Sequence, residues 1–224
     1  MLRPLLTIAD TSVQAGYADV FVPLARREGQ VLGFNPVADS NLYFSHTTPR
    51  VGDIGARVSR ALGRAGFEVR TLVTPPDDEL TAMAYHEMSQ TVMDLRREVH
   101  MRQRFGTWTD PIVLHIVCAG EGACELHGCY DNDDEDGFFL AASGLTTSSA
   151  LGEVMLDGPE QGIHVIFEER ITGQPHSATY SGWVPMIGLA VKEADGRATA
   201  SWTRLSDGGG PYREEDYGEV VLDV

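Results

Sequence analysis

A doubly wound α/β fold, with a mostly parallel sheet and helices on its faces, is predicted by three features of this sequence. Apolar runs of strand length alternate with stretches whose apolar residues recur at helical spacing, the pattern of β-α-β units. Two of the runs, Ile112–Cys118 and Ile163–Phe167, are apolar but for one histidine each, as suits strands covered on both faces. The first of them stops in Ala119-Gly120-Glu121-Gly122, a small-residue turn of the kind that presents functional side chains at the carboxyl end of a strand.

The elements follow in order. Arg3–Ile8 reads as a buried first strand, and the segment from about Thr11 to Arg50 as loop-rich, punctuated by Gly, Pro, Asn and Ser, with one weak strand at Val31–Phe34. Val51, Ile54, Val58, Ala61 and Leu62 then recur at helical spacing while Arg57, Arg60 and Arg64 take the opposite face. Gly66 supplies a C-terminal stop. Phe67–Val73 alternates as a second strand. Thr74–Glu79 is a turn with acid-rich helix-start residues, after which Leu80, Ala84, Met88, Val92, Leu95 and Val99 form one stripe on a long helix ending before Gly106. Ile112–Cys118 is the third strand. Glu121–Asp136 is a polar loop, and Gly137–Ser143 a further apolar strand. Thr146–Ser149 offers caps for a short helix carrying Leu151, Val154 and Met155, ended by Asp157-Gly158-Pro159. Ile163–Phe167 is the fourth strand. Met186–Val191 and Arg197–Trp202 read as a hairpin around Glu193–Gly196, and Glu219–Leu222 as a last strand after Gly208–Pro211. The expectation is a single domain over 1–224, its core at about 3–191 and a C-terminal β extension at 192–224.

Composition narrows the function classes. Seventeen Lys and Arg stand against 33 Asp and Glu, a net charge of −16, which argues against a nucleic-acid partner. No apolar run reaches membrane-spanning length, and Asp10 comes too early for a signal peptide, so neither a membrane nor secretion is expected. Three clustered cysteines do not form a secreted disulfide framework; the expected compartment is the cytoplasm. Neither a phosphate-cradling GxxxxGK[ST] nor a GxGxxG follows the first strand.

The order of elements from Leu5 to Gly173 resembles that of caspase-like cysteine peptidases. Ala119-Gly120-Glu121-Gly122 is similar to the Ser/Ala-Gly-His-Gly that ends the family's third strand, where the His is the catalytic base. Val165-Ile-Phe-Glu-Glu-Arg-Ile-Thr-Gly173 stands where the family has Leu-Leu-Asp-Cys-Cys-Xaa-Ser-Gly. The resemblance implies a caspase-like fold whose base position is Glu121 and whose nucleophile position is Glu169 or Arg170. Neither can attack a carbonyl as a thiolate does. The function it implies is a catalytically inactive caspase-like domain, acting as a protein-interaction or regulatory module in a defence or signalling system.

Other readings stand beside it. Cys124 or Cys129 with His127 is a displaced dyad for an active cysteine endopeptidase. Glu121, Glu168 and Glu169 are strand-end carboxylates for acid–base chemistry in an unrelated α/β enzyme. His115 and His164, inside strands, read as satisfied core or face histidines. Cys118, Cys124, His127 and Cys129 form a Cys3His set of the type zinc accepts, against three reduced thiols. The run Asp131-Asn-Asp133-Asp134-Glu-Asp136 holds hard oxygen ligands for calcium, but the bidentate Glu of a complete loop is missing; a solvated acidic connection is the plainer reading. No cofactor is expected. The expected partner is a protein, in a homo- or hetero-oligomer.

Overall fold

The computed structural model describes residues 19–46, 53–74, 82–106, 110–119, 147–170, 186–194, 197–206 and 213–222. In chain order the elements are strands β1 (Val22–Arg27) and β2 (Gln30–Phe34), the single-turn helix α1 (Pro36–Asp39), and β3 (Asn41–His46). Then come α2 (Asp53–Arg64), β4 (Glu68–Val73), α3 (Ala82–Phe105), β5 (Ile112–Ala119) and α4 (Thr147–Asp157). A 3-10 turn (Pro159–Gln161) leads into β6 (Ile163–Arg170), β7 (Met186–Ala194), β8 (Arg197–Ser206) and β9 (Arg213–Leu222).

All nine strands join one sheet in the order β2-β1-β9-β8-β7-β3-β6-β5-β4. The half from β7 to β4 is parallel and the half from β7 to β2 antiparallel. The sheet is therefore mixed rather than mostly parallel.

Alternation along the parallel strands sorts side chains onto two faces. On one face Leu42, Phe44, Val113 and Ile166 pack with Ile54, Val58 and Leu62 of α2. On the other, Leu114, Ile116, Val165 and Phe167 pack with Met88, Val92, Leu95 and Val99 of α3 and with Leu151, Val154 and Met155 of α4. Of the helical stripes read from the sequence, Ile54, Val58 and Leu62 and then Met88, Val92, Leu95 and Val99 lie on the buried faces of α2 and α3, while Val51 and Leu80 lie outside the described residues. Helix α2 ends in a Schellman motif: Gly66 takes φ +94°, its N–H bonds the Gly63 carbonyl, and Phe67 N–H bonds that of Leu62.

The expected first strand, Arg3–Ile8, and the strand Gly137–Ser143 lie outside the described residues. The first central parallel strand is β3, in the segment expected to be loop. Its Leu42 and Phe44 are fully buried, and Asn41 is buried as well. Asn41 Nδ2 donates to the Met155 carbonyl at 2.8 Å and Oδ1 accepts from Val165 N–H at 3.0 Å, tying β3 to α4 and β6. The second strand read from the sequence, Phe67–Val73, is present as β4 at the sheet edge, where Val69 and Val73 are 38% and 62% exposed. The C-terminal hairpin is present as β7 and β8, and β9 pairs with both β8 and β1, closing the antiparallel half.

The helix after β3 covers one face, and those after β4 and β5 cover the other. The winding thus reverses between β3 and β5, with β6 between them. In open α/β sheets that reversal opens a crevice at the carboxyl ends of the strands, where ligands bind. No described helix is long and apolar enough to cross a membrane.

Candidate strand-end site

At that reversal stands a buried charged cluster. Glu168, near the end of β6, is fully buried. Its Oε1 accepts from His46 Nε2, the last residue of β3, and from Arg170 Nε, both at 3.1 Å. Its Oε2 accepts from His115 Nε2 of β5, also at 3.1 Å. The register explains the convergence: His46 pairs with Arg170, and Glu168 pairs with Phe44 on one side and Val117 on the other. A carboxylate only accepts, so both imidazoles present Nε2–H to it. The bonds from His115, His46 and Arg170 hold the Glu168 carboxyl at about 2, against the usual 4.5, although burial alone would raise it. His46 is stacked beside Phe44, ring centroids 6.0 Å apart.

Helix α2 touches this cluster through a glycine. A methyl group at Gly55 would collide with His115 Nε2 and come within 2.8 Å of Glu168 Oε2 and of Phe44. Only glycine lets the helix backbone lie this close. A cleft of about 450 Å³ opens alongside, between α2 (Ser59, Arg60) and the strand residues Thr71, His115 and Arg170.

The next residue faces the other way. Glu169, 1% exposed, accepts a hydrogen bond from the Tyr43 hydroxyl, whose ionisation is pushed up by burial and by that carboxylate. Cys118, also buried, donates its thiol to the Glu168 carbonyl at 3.4 Å. His164 is buried within β6; its Nδ1 donates to the Ser40 carbonyl, and burial lowers its pKa to about 4.

The sequence-derived sites fare as follows. Glu169 and Arg170 are adjacent residues of one strand, so their side chains lie on opposite faces: Glu169 with Tyr43 under α3 and α4, Arg170 with Glu168 on the α2 side. They do not form one site. Glu121, Cys124, His127, Cys129, Asp131, Asp133, Asp134 and Asp136 lie outside the described residues. Among the described residues no group of His, Cys, Asp and Glu could hold a metal ion. His46 was missed, because its segment read as loop. The alternation of Leu42, Phe44 and His46 in Asn41-Leu-Tyr-Phe-Ser-His46 was the signal for it.

No protein-family model matches the chain, and no curated protein matches it by sequence. Solved structures do match. Thermomonospora curvata EccC (ATPases 2 and 3), in complex with a signal sequence peptide, is similar with TM-score 0.53 and 11% identity, over 99% of this chain and 43% of that one. The pCW3 conjugation coupling protein TcpA, in monomer form with ATPgS, follows at TM-score 0.49 and 11% identity, over 95% and 69%. The cytoplasmic domain of EssC matches at 0.47 and 12% identity, over 99% and 47%. The chain spans less than half the length of the EccC and EssC chains. At this identity the likeness to EccC shows the fold alone, one shared with that protein's ATPase region. It overturns the caspase-like assignment, and with it the inactive-peptidase function. An apolar strand ending in a small-residue turn belongs to α/β folds in general, so Ala119-Gly120-Glu121-Gly122 carried no family information.

Proposed function

We propose that this chain is an ATPase-fold domain that neither holds nor hydrolyses a nucleoside triphosphate and works by binding another polypeptide. The observation that carries this reading is the junction of β3 and α2, the strand–loop–helix unit at the middle of the sheet. A P-loop needs GxxxxGK[ST] there: backbone amides for the phosphates, a lysine for their charge and a hydroxyl for Mg²⁺. The sequence is Thr47-Thr48-Pro49-Arg50-Val51-Gly52-Asp53-Ile54. With Gly52 as the second glycine, the lysine position holds Asp53 and the hydroxyl position Ile54, which is 2% exposed in the core. A carboxylate at the lysine position repels phosphate, and an isoleucine offers Mg²⁺ no ligand.

The strand ends support the same reading. Described β5 carries no carboxylate, and Glu168 of β6 is engaged by two imidazoles and a guanidinium. An acid held in that way orders the crevice, with three of its about four lone-pair sites already taken by protein donors. A polypeptide role is supported by the EccC structure, which is in complex with a peptide. Calorimetric titration with MgATP tests the reading: no saturable heat is expected at millimolar nucleotide, and stoichiometric binding would refute it.

A further inference from the structure

Three arginines, Arg57, Arg60 and Arg64, run along α2 at helical spacing, opposite its buried Ile54, Val58 and Leu62. In a chain of net charge −16 such a stripe is a local reversal of sign. Arg57 and Arg64 have no ion-pair partner among the described residues.

The stripe is flanked by two hollows, and Arg60 lines both. One is the cleft of about 450 Å³ toward β4, β5 and β6, with Ala56, Val69 and Val117 in its wall. The other, of about 530 Å³, lies between α2 and residues 20–24, walled by Val20, Val22, Leu24, Val58 and Ala61. Among the described residues the only carboxylate lining either is Glu168, already bonded three times over. In the first cleft the Ser59 hydroxyl, in a residue 6% exposed, has no hydrogen-bond partner among the described residues, and Arg170, its side chain half-exposed, spends only Nε on Glu168. A buried hydroxyl without a partner costs about 1–3 kcal/mol, which a ligand group reaching it would recover.

We propose that this face of α2 is the docking surface for an acidic, amphipathic peptide segment of a partner protein. Its carboxylates lie along Arg57, Arg60 and Arg64, its apolar side chains enter the two hollows, and a backbone or side-chain oxygen accepts from Ser59. Charge complementarity selects the occupant: a basic segment would be repelled by the stripe, and a purely apolar one would leave the guanidiniums of Arg57 and Arg64 without the counter-charge a partner could supply. The chain's overall negative charge does not prevent this. At physiological salt the screening length is about 8 Å, so the nearby guanidiniums dominate over distant carboxylates.

The inference rests on the polypeptide-binding part of the reading above and is separable from its nucleotide part. MgATP turnover would sink that part and leave this surface standing; the following experiment judges the surface alone. Fluorescence anisotropy is measured with a labelled peptide alternating glutamate and leucine, against the whole chain. Saturable binding is expected, weakened roughly tenfold or more by the double variant R57E/R64E and by raised salt. A glutamate–serine peptide should bind less tightly, because it has no apolar side chains to cover Val69 and Val117 in the first hollow or Val20, Val22 and Leu24 in the second. The milder pair R57Q/R64Q, with a thermal melt matching wild type, repeats the test where charge reversal disturbs folding. Absence of binding, equal binding of a lysine–leucine peptide, or affinity unchanged in both double variants would overturn the proposal. Displacement of the peptide by citrate at equal carboxylate concentration would also overturn it, reducing the surface to a small-anion site.

Discussion

Replacing Glu168 by glutamine keeps the shape of the strand-end cluster and removes its charge. In the folded chain His46, His115 and Arg170 hold the carboxyl at about 2 rather than the usual 4.5. That difference corresponds to roughly 3 kcal/mol of preference for the ionised form in the folded state. The residue is fully buried, so solvent does not screen the loss. Glutamine offers one carbonyl oxygen to three donors and adds an NH₂ facing imidazole N–H groups, so at least one buried donor is left without an acceptor. Glu168→Gln is therefore expected to lower unfolding stability by roughly 3 kcal/mol at neutral pH, equivalent to roughly 10 °C in Tm for a domain of this size. The sign with pH follows from the depressed acid. Its contribution is fully present above the unfolded value of 4.5 and is lost as pH falls from there toward about 2. Urea denaturation of both proteins, with matching m values, should show a gap that is constant above pH 5 and narrows steadily below 4.5. A gap under about 1 kcal/mol at neutral pH, or one that does not narrow in acid, would refute the cluster as a charged, charge-stabilised site.

Three further outcomes follow from the same contacts. Gly55→Ala should destabilise by about 1–3 kcal/mol despite alanine's better helix propensity, since its methyl meets His115, Glu168 and Phe44; Gly63→Ala in the same helix, whose nearest neighbour is Val69 at 3.4 Å, should be neutral or gain up to about 1 kcal/mol, and the paired thermal melts check both. Asn41→Leu should cost about 2–4 kcal/mol in urea unfolding, because it strips partners from the Met155 carbonyl and Val165 N–H inside the core; a cost near zero would mean those groups are satisfied otherwise. His164 has its pKa lowered by burial from 6.5 to about 4, so the unfolded chain takes up the proton first: wild-type stability should fall as pH drops from 6.5 to about 4, and His164→Leu should flatten that slope, a slope unchanged in the variant contradicting the assignment.

Much of the secondary structure was legible because its signals are local. The stripes of α2 and α3, the Gly66 stop, the β7–β8 hairpin and the apolar strands β5 and β6 each announce themselves within about a dozen residues. β3 escaped because its six residues include Asn41, Ser45 and His46 and sit among turn-forming neighbours; Asn41 and His46 are buried through pairing with β6 and β7, which only the topology supplies. β1 was hidden by Pro23, Arg26 and Arg27 within a short run. The site was harder still. Glu168 was readable as a strand-end carboxylate, but its partners lie 122 and 53 residues away, and the register of three parallel strands brings them together. The family assignment failed for a related reason: the order of strands and helices along a chain is shared by several α/β folds, whereas the order of strands across the sheet distinguishes them.

Phosphate release from MgATP by the purified whole chain, run beside Glu168→Gln, tests the central claim most directly. The account predicts no release above buffer from either protein, because Asp53 and Ile54 stand where a lysine and a hydroxyl are needed and Glu168 is committed to His46, His115 and Arg170. Turnover by the wild-type chain that disappears in Glu168→Gln would contradict it, showing that the strand-end carboxylate activates water and that this domain burns nucleotide.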